Sequence, residues 1–200
     1  MKNKKTLVIA VVAVVVVLAV VLGVVLAGGN NTTGSTTAPT NTEKTYTLGM
    51  GVVVNFDKAK NQINATVASV VRDANGKIVK CRIDVAQNTV DFVNGNVDTA
   101  KVYETKMELG TRYGMGQSSI TDANKWMDND GNGKVLEWYL QSEAFSNHVV
   151  GMTASQVKNM ETATVNGHKI TTDKDLLDAG CSIQITAIKA VVAKSATNAR

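Results

Sequence analysis

The chain has 200 residues, 44% of them hydrophobic, 19% charged and only 4% aromatic, with a formal net charge of +4. Lys2, Lys4 and Lys5 supply three of those positive charges, so the body is close to neutral and no nucleic-acid partner is indicated. A single Pro and few aromatic residues argue against a Pro-rich or carbohydrate-binding surface.

Residues 1–6 form a short basic head, and Leu7 to Ala27 is an unbroken apolar run without charge or Pro. As a helix that run spans about 32 Å, close to the ~30 Å hydrocarbon core of a bilayer. Lysines on its N-terminal side alone place the head in the cytoplasm and the remainder beyond the membrane. The prediction is a single-pass anchor at 7–27, held by membrane lipid, with an extracytoplasmic body. A cleavable signal peptide has the same plan, and Val25 and Ala27 suit a cut after Ala27. Signal-peptide apolar regions run ~7–15 residues, however, and the greater length here favours an anchor. Residues 28–45 consist mainly of Gly, Ser, Thr and Asn, with no large apolar side chain before Tyr46, and read as a flexible stalk.

From 46 to 200 the chain suffices for one domain with its own core. Residues 46–56 read as a strand loosened by Gly49 and Gly51. A hairpin follows, Ile63–Arg72 and Ile78–Ala86 around Asp73-Ala74-Asn75-Gly76-Lys77, where Asn-Gly accepts the positive φ of a tight turn. Val79, Cys81, Ile83 and Val85 alternate with Lys80, Arg82 and Asp84, which predicts a core face and a solvent face. Further on, 102–113 is compatible with a helix ending at Gly114, and 120–127 with a short helix or turn. Glu137–Val150 is the best helix, with Trp138, Phe145 and Val149 on one face and Gly151 as its stop. Thr153-Ala154-Ser155-Gln156 has capping-box form and predicts a helix through Met160. The segment 181–186 reads as a strand, and Ala187–Ala196 as an amphipathic helix bearing Ile188, Val191 and Val192. The fold class expected is α+β, an antiparallel sheet with packed helices behind one N-terminal transmembrane helix.

Candidate chemistry is sparse. Asp128, Asp130 and Asn132 match the first three oxygen ligands of an EF-hand loop and Gly133 its turn glycine, which suggests Ca²⁺. The twelfth position is Tyr139 instead of a carboxylate, and Glu137 comes two residues early, so a polar turn is the favoured reading. His148 and His168 have no evident partner in the sequence. Cys81 and Cys181 lack zinc spacing; outside the cytosol they form either one disulfide or, as the strand pattern favours, two buried thiols. No nucleophile–His–acid set stands out.

Asp175-Leu176-Leu177-Asp178-Ala179-Gly180-Cys181-Ser182, with the following Ala187-Ile188-Lys189-Ala190-Val191-Val192, resembles the end of the FMN-binding domain family of extracytoplasmic membrane-anchored flavoproteins. Asn75-Gly76-Lys77-Ile78-Val79 is similar to that family's central hairpin, and the stretch from Glu104 to Val157 resembles a branch of it in Gram-positive anaerobes. The resemblance implies the family's fold, an FMN cofactor and a role in passing electrons from a membrane redox protein. Aligning Gly180 with the signature glycine places Ser182 on the flavin-bearing Thr and Cys181 on an Ala. Tyr113, Trp138 and Tyr139 are the stacking candidates. The signature is degenerate, because Ala179 replaces a Ser or Thr and the Asp slot falls on Leu176. A cofactor-free surface binding or assembly module of the same fold therefore stands beside the electron relay, with a calcium-binding surface domain behind both. Either reading makes a carrier or binding protein more readily than a stand-alone enzyme.

Overall fold

The computed structural model describes residues 45–89, 92–93, 96–97, 103–128, 131 and 133–200. Three long strands, β1 (Tyr46–Asp57), β2 (Gln62–Asp73) and β3 (Ile78–Thr89), form an antiparallel sheet in chain order. Two small hairpins, β4 (Phe92–Val93) with β5 (Asn96–Val97) and β6 (Thr162–Val165) with β7 (His168–Thr171), stand apart from it. The helices are α1 (Lys106–Leu109), α2 (Trp138–His148), α3 (Ala154–Lys158), α4 (Lys174–Asp178) and α5 (Thr186–Asn198). The molecule is thus α+β, as its sequence predicts. Among the described residues no helix is long and apolar enough to cross a membrane; the run at 7–27 lies outside them.

The β2–β3 turn is built around Asp73. Its carboxylate Oδ1 accepts from the backbone N–H of Asn75 and of Lys77, each at 2.9 Å, and Gly76 supplies φ +75°. A bulge follows at once: Arg72 pairs with Ile78 and Val71 with Lys80, leaving Val79 between. The extra residue shifts the alternation, so Ile78 is wholly buried and Val79 is turned outward at 38% exposure. Val79 therefore departs from the core face its spacing predicts, while Ile83 and Val85 occupy it and Cys81 is half-buried.

Helix α5 lies across the inner face of the sheet, bringing Ile188, Val191 and Val192 onto Ala68, Val70 and Ile83. Gly49 and Gly51 make this possible. A Cβ on Gly49 would fall on the Ser195 carbonyl, and one on Gly51 would stand 2.7 Å from the Val191 carbonyl oxygen. These glycines let helix and strand backbones approach, a tighter role than the loosening expected of them. Polar bonds then tie α5 to β1. Ser195 Oγ donates to the Gly49 carbonyl (2.7 Å), Lys194 Nζ to that of Val52 (2.9 Å), and Leu48 and Arg200 exchange backbone hydrogen bonds.

Helix α2 packs Trp138, Phe145 and Val149 into the same core and stops at Gly151, φ +86°. The capping box before α3 forms as its sequence predicts, Thr153 and Gln156 bonding reciprocally. Two expectations need correction. The predicted helix over 102–113 begins only at Lys106 and breaks at Gly110 (φ +53°, ψ −124°), continuing as a 3-10 turn to Tyr113; residues 101 and 102 lie outside the described set. The predicted strand over 181–186 is instead a loop that bends at Ile183 and enters α5 at Thr186, and its donors have other acceptors. Cys181 N–H bonds the Leu176 carbonyl, Ser182 N–H the Gln141 side chain, and Ile185 N–H the Lys169 carbonyl.

Candidate functional site

The inward rows of the three long strands change character along their length. On β1 the row runs Gly49, Gly51, Val53, then Asn55 and Asp57; on β2, Val70, Ala68, Thr66, then Asn64 and Gln62. On β3 it runs Cys81, Ile83, Val85, then Gln87. The apolar ends carry the helices, and the polar ends floor a cleft of about 680 Å³. Its walls come from the 3-10 turns around Tyr113 and Trp126, the first residue of α2, β7, and the loop entering α5.

The floor is a hydrogen-bonded chain. Tyr113 Oη donates to Gln87 Oε1 (2.7 Å), Gln87 Nε2 to Gln62 Oε1 (3.2 Å), and Asn64 Nδ2 to the same oxygen (3.3 Å). Burial raises the Tyr113 pKa, which keeps the phenol a neutral donor. The turn presenting Tyr113 is clamped by Arg112, whose guanidinium donates twice to Glu104 at 2.9 and 2.6 Å.

Lys106 enters at the start of α1. Thr105 and Glu108 form a second capping box there, and Asp84 Oδ1 accepts from Met107 N–H (3.2 Å), which pins the helix to β3. The Lys106 ammonium stands 4.6 Å from the Tyr113 ring centre and 5.3 Å from that of Trp138. These are cation–π distances. Burial lowers the Lys106 pKa to about 8, because the cation is partly stripped of water. Opposite, His168 stacks on Trp126 with ring centres 5.9 Å apart, and Asn166 Nδ2 ties the β6–β7 turn to the Ala123 carbonyl (2.8 Å).

Of the residues nominated from sequence, Tyr113, Trp138 and Ser182 come together on this cleft. Ser182 is 1% exposed; its N–H and Oγ–H both donate to Gln141 Oε1, at 2.9 and 3.2 Å. Gln141 is itself anchored by donation to the Leu136 carbonyl (2.8 Å). Gly180 and Cys181 are buried behind the lining. Gly180 takes φ +98°, where a Cβ would stand 2.6 Å from Leu136 Cδ1, and burial pushes the Cys181 thiol up to about 12. Tyr139 packs on the core instead of bordering the cleft. Both cysteines are free thiols.

Asp128 accepts from Gly133 N–H at 3.3 Å, closing its own loop, while Asp130 and Asn132 lie outside the described residues. Glu137 is turned inward against Gly116, and no group of three His, Cys, Asp or Glu suited to a metal occurs among the described residues. His148 does have a partner that its sequence position did not reveal: Nε2 lies 3.2 Å from Asp173 Oδ2.

Lys106, Gln87, Trp126 and His168 are site residues that sequence reasoning missed. The legible signal was the strand rows turning from apolar to polar, since extending Cys81, Ile83, Val85 by one more step reaches Gln87. No family model, curated protein or solved structure matches this chain, so the site is read from its own residues.

Proposed function

We propose that the domain is an FMN-binding-like module, tethered outside the cytoplasm by the run at 7–27, whose cleft holds a flavin without a covalent bond. The observation carrying this reading is the convergence of Tyr113, Trp138 and Ser182, three of the six residues nominated for the cofactor, on one cleft with Lys106 among them. At about 680 Å³ the cleft falls in the range of cofactor sites, roughly 300–1,000 Å³. Tyr113, Trp138 and Trp126 offer ring surfaces, and Lys106 brings the positive charge that an anionic phosphate requires. Ser182 supports the non-covalent mode, because its hydroxyl is buried and already committed to Gln141. The residue in the signature Asp slot, Leu176, is wholly buried and unavailable to a modifying enzyme.

When bound, the isoalloxazine would supply the redox chemistry. The chain's own residues bind and orient: the Gln62–Gln87–Tyr113 chain fixes the floor, and Lys106 is held between two rings. Tethering would carry the domain between a membrane redox donor and an external acceptor. The full chain, titrated with FMN, is expected to quench flavin fluorescence with 1:1 saturation. Trp138→Ala and Lys106→Ala should each weaken binding at least about tenfold, the scale of one lost stacking or charge contact. Absence of quenching at millimolar FMN overturns the flavin reading and leaves the cofactor-free binding module, which the exposed sheet face described next favours. Intact mass should show no adduct; one FMN phosphoryl group mapped to Ser182 overturns the non-covalent mode.

A further inference from the structure

The outward row of β1 is Tyr46, Leu48, Met50, Val52, Val54 and Phe56, and it is apolar throughout. Leu48 and Met50 are 64% exposed, Val54 61% and Phe56 60%; Ile63 beside them on β2 is 42% exposed. A half-solvated antiparallel strand ordinarily turns polar residues to water. Twelve residues per strand and three strands make a face about 40 Å by 14 Å, roughly 550 Å² in projection. That approaches the ~800 Å² each partner gives to a standard interface.

We propose that this face is the interface of a symmetric dimer, in which two copies of the sheet stack face to face. The register identifies the axis. Gly51, Ala68 and Ile83 sit side by side across the three strands. A twofold axis lying in the interface over that row sets Met50 against Val52 of the other copy, Leu48 against Val54, and Tyr46 against Phe56. On β3 the same operation sets Arg82 against Asp84 twice, with Asp84 Oδ2 free among the described residues for the pairing while Oδ1 holds Met107 N–H, and it sets Lys80 against the small Ala86. Side-chain contacts from an isologous pairing close the assembly at two copies. The inner face and its cleft remain outside the interface, so the dimer and the ligand reading stand or fall separately.

The test uses the full chain in mild detergent, sized by light scattering, with circular dichroism as the check on folding. Wild type should be dimeric. Leu48→Lys and Val54→Glu, both on the exposed face, should each give folded monomer, and the double variant should recover the dimer through two new Lys–Glu pairs. As a second measurement, Val52→Cys alone, close to the proposed axis, should be bridged between chains by a short bismaleimide in intact membranes. Lys158→Cys on α3, across the domain, should not. The native thiols do not compete, since burial pushes Cys81 and Cys181 up to about 12. A monomeric wild type overturns the proposal, whether lipid or another protein then covers the face. Dimers indifferent to Leu48→Lys, or single variants not rescued by the double, overturn it equally.

Discussion

Lys106 is the residue on which pH should act most visibly. Folded, it gives up its proton near pH 8; unfolded, only near its ordinary 10.5. Between those values the unfolded chain binds more protons, so this group makes the fold more stable as pH rises through that window. Lys106→Met removes the buried charge and should stabilise the protein at pH 7 by on the order of 1–2 kcal/mol, the lost cation–π attraction offsetting part of the gain. The advantage should vanish by about pH 10.5 in urea denaturation; an advantage independent of pH would mean the amine is fully solvated. Cys81 and Cys181 work in the opposite sense. Their pKa values, raised from 9.0 to about 12, mean that the unfolded chain ionises first, so stability present below pH 9 is lost as pH climbs toward 12. Cys181→Ala should therefore flatten the alkaline decline even though it leaves a small cavity. None of this was legible in the sequence, where Lys106 is one lysine among many. It took the cleft to show that this amine lies between two rings.

At the level of elements, the signals that proved readable were those with a local cause. The β2–β3 turn, the stop at Gly151 and the Thr153 cap each depend on residues within five positions of one another. Thr153→Ala should cost about 1 kcal/mol in thermal unfolding, the usual worth of such a cap. What failed depended on distant partners. The 181–186 segment has a strand's composition, but Gln141 and Lys169, remote in sequence, claim two of its donors. Asn166 (φ +45°) and Gly167 (φ +80°) carry the paired positive φ of a tight turn, but the β6 and β7 strands they join are four residues each, too short to stand out by alternation. Gly49 and Gly51 stand out in a strand, but their reason is an α5 backbone some 140 residues away, as the Ser195–Gly49 bond records. Gly51→Ala should destabilise by more than about 3 kcal/mol or prevent folding, since the clash is with rigid helix backbone. A mild effect would mean α5 can slide outward without penalty.

For the whole molecule, period-two patterning located the sheet and its inner side along β3, but not along β1, where the residues turned to solvent are apolar and the inward row is Gly, Gly, Val, Asn, Asp. Inside and outside were assigned by the helices that cover one side, and those come from the far end of the sequence. The backbone pairing of Leu48 with Arg200 makes that dependence literal. The first strand to emerge during synthesis cannot complete its edge until some 150 residues more have been added, about 10–30 s at ordinary elongation rates. Until then β1 offers an open edge and an oily side together, the combination that invites capture by chaperones or neighbouring chains. Removing residues 195–200 should make that interval permanent: the truncated protein is expected to be rapidly degraded or insoluble, which pulse-chase labelling would reveal as a half-life far below that of the intact chain.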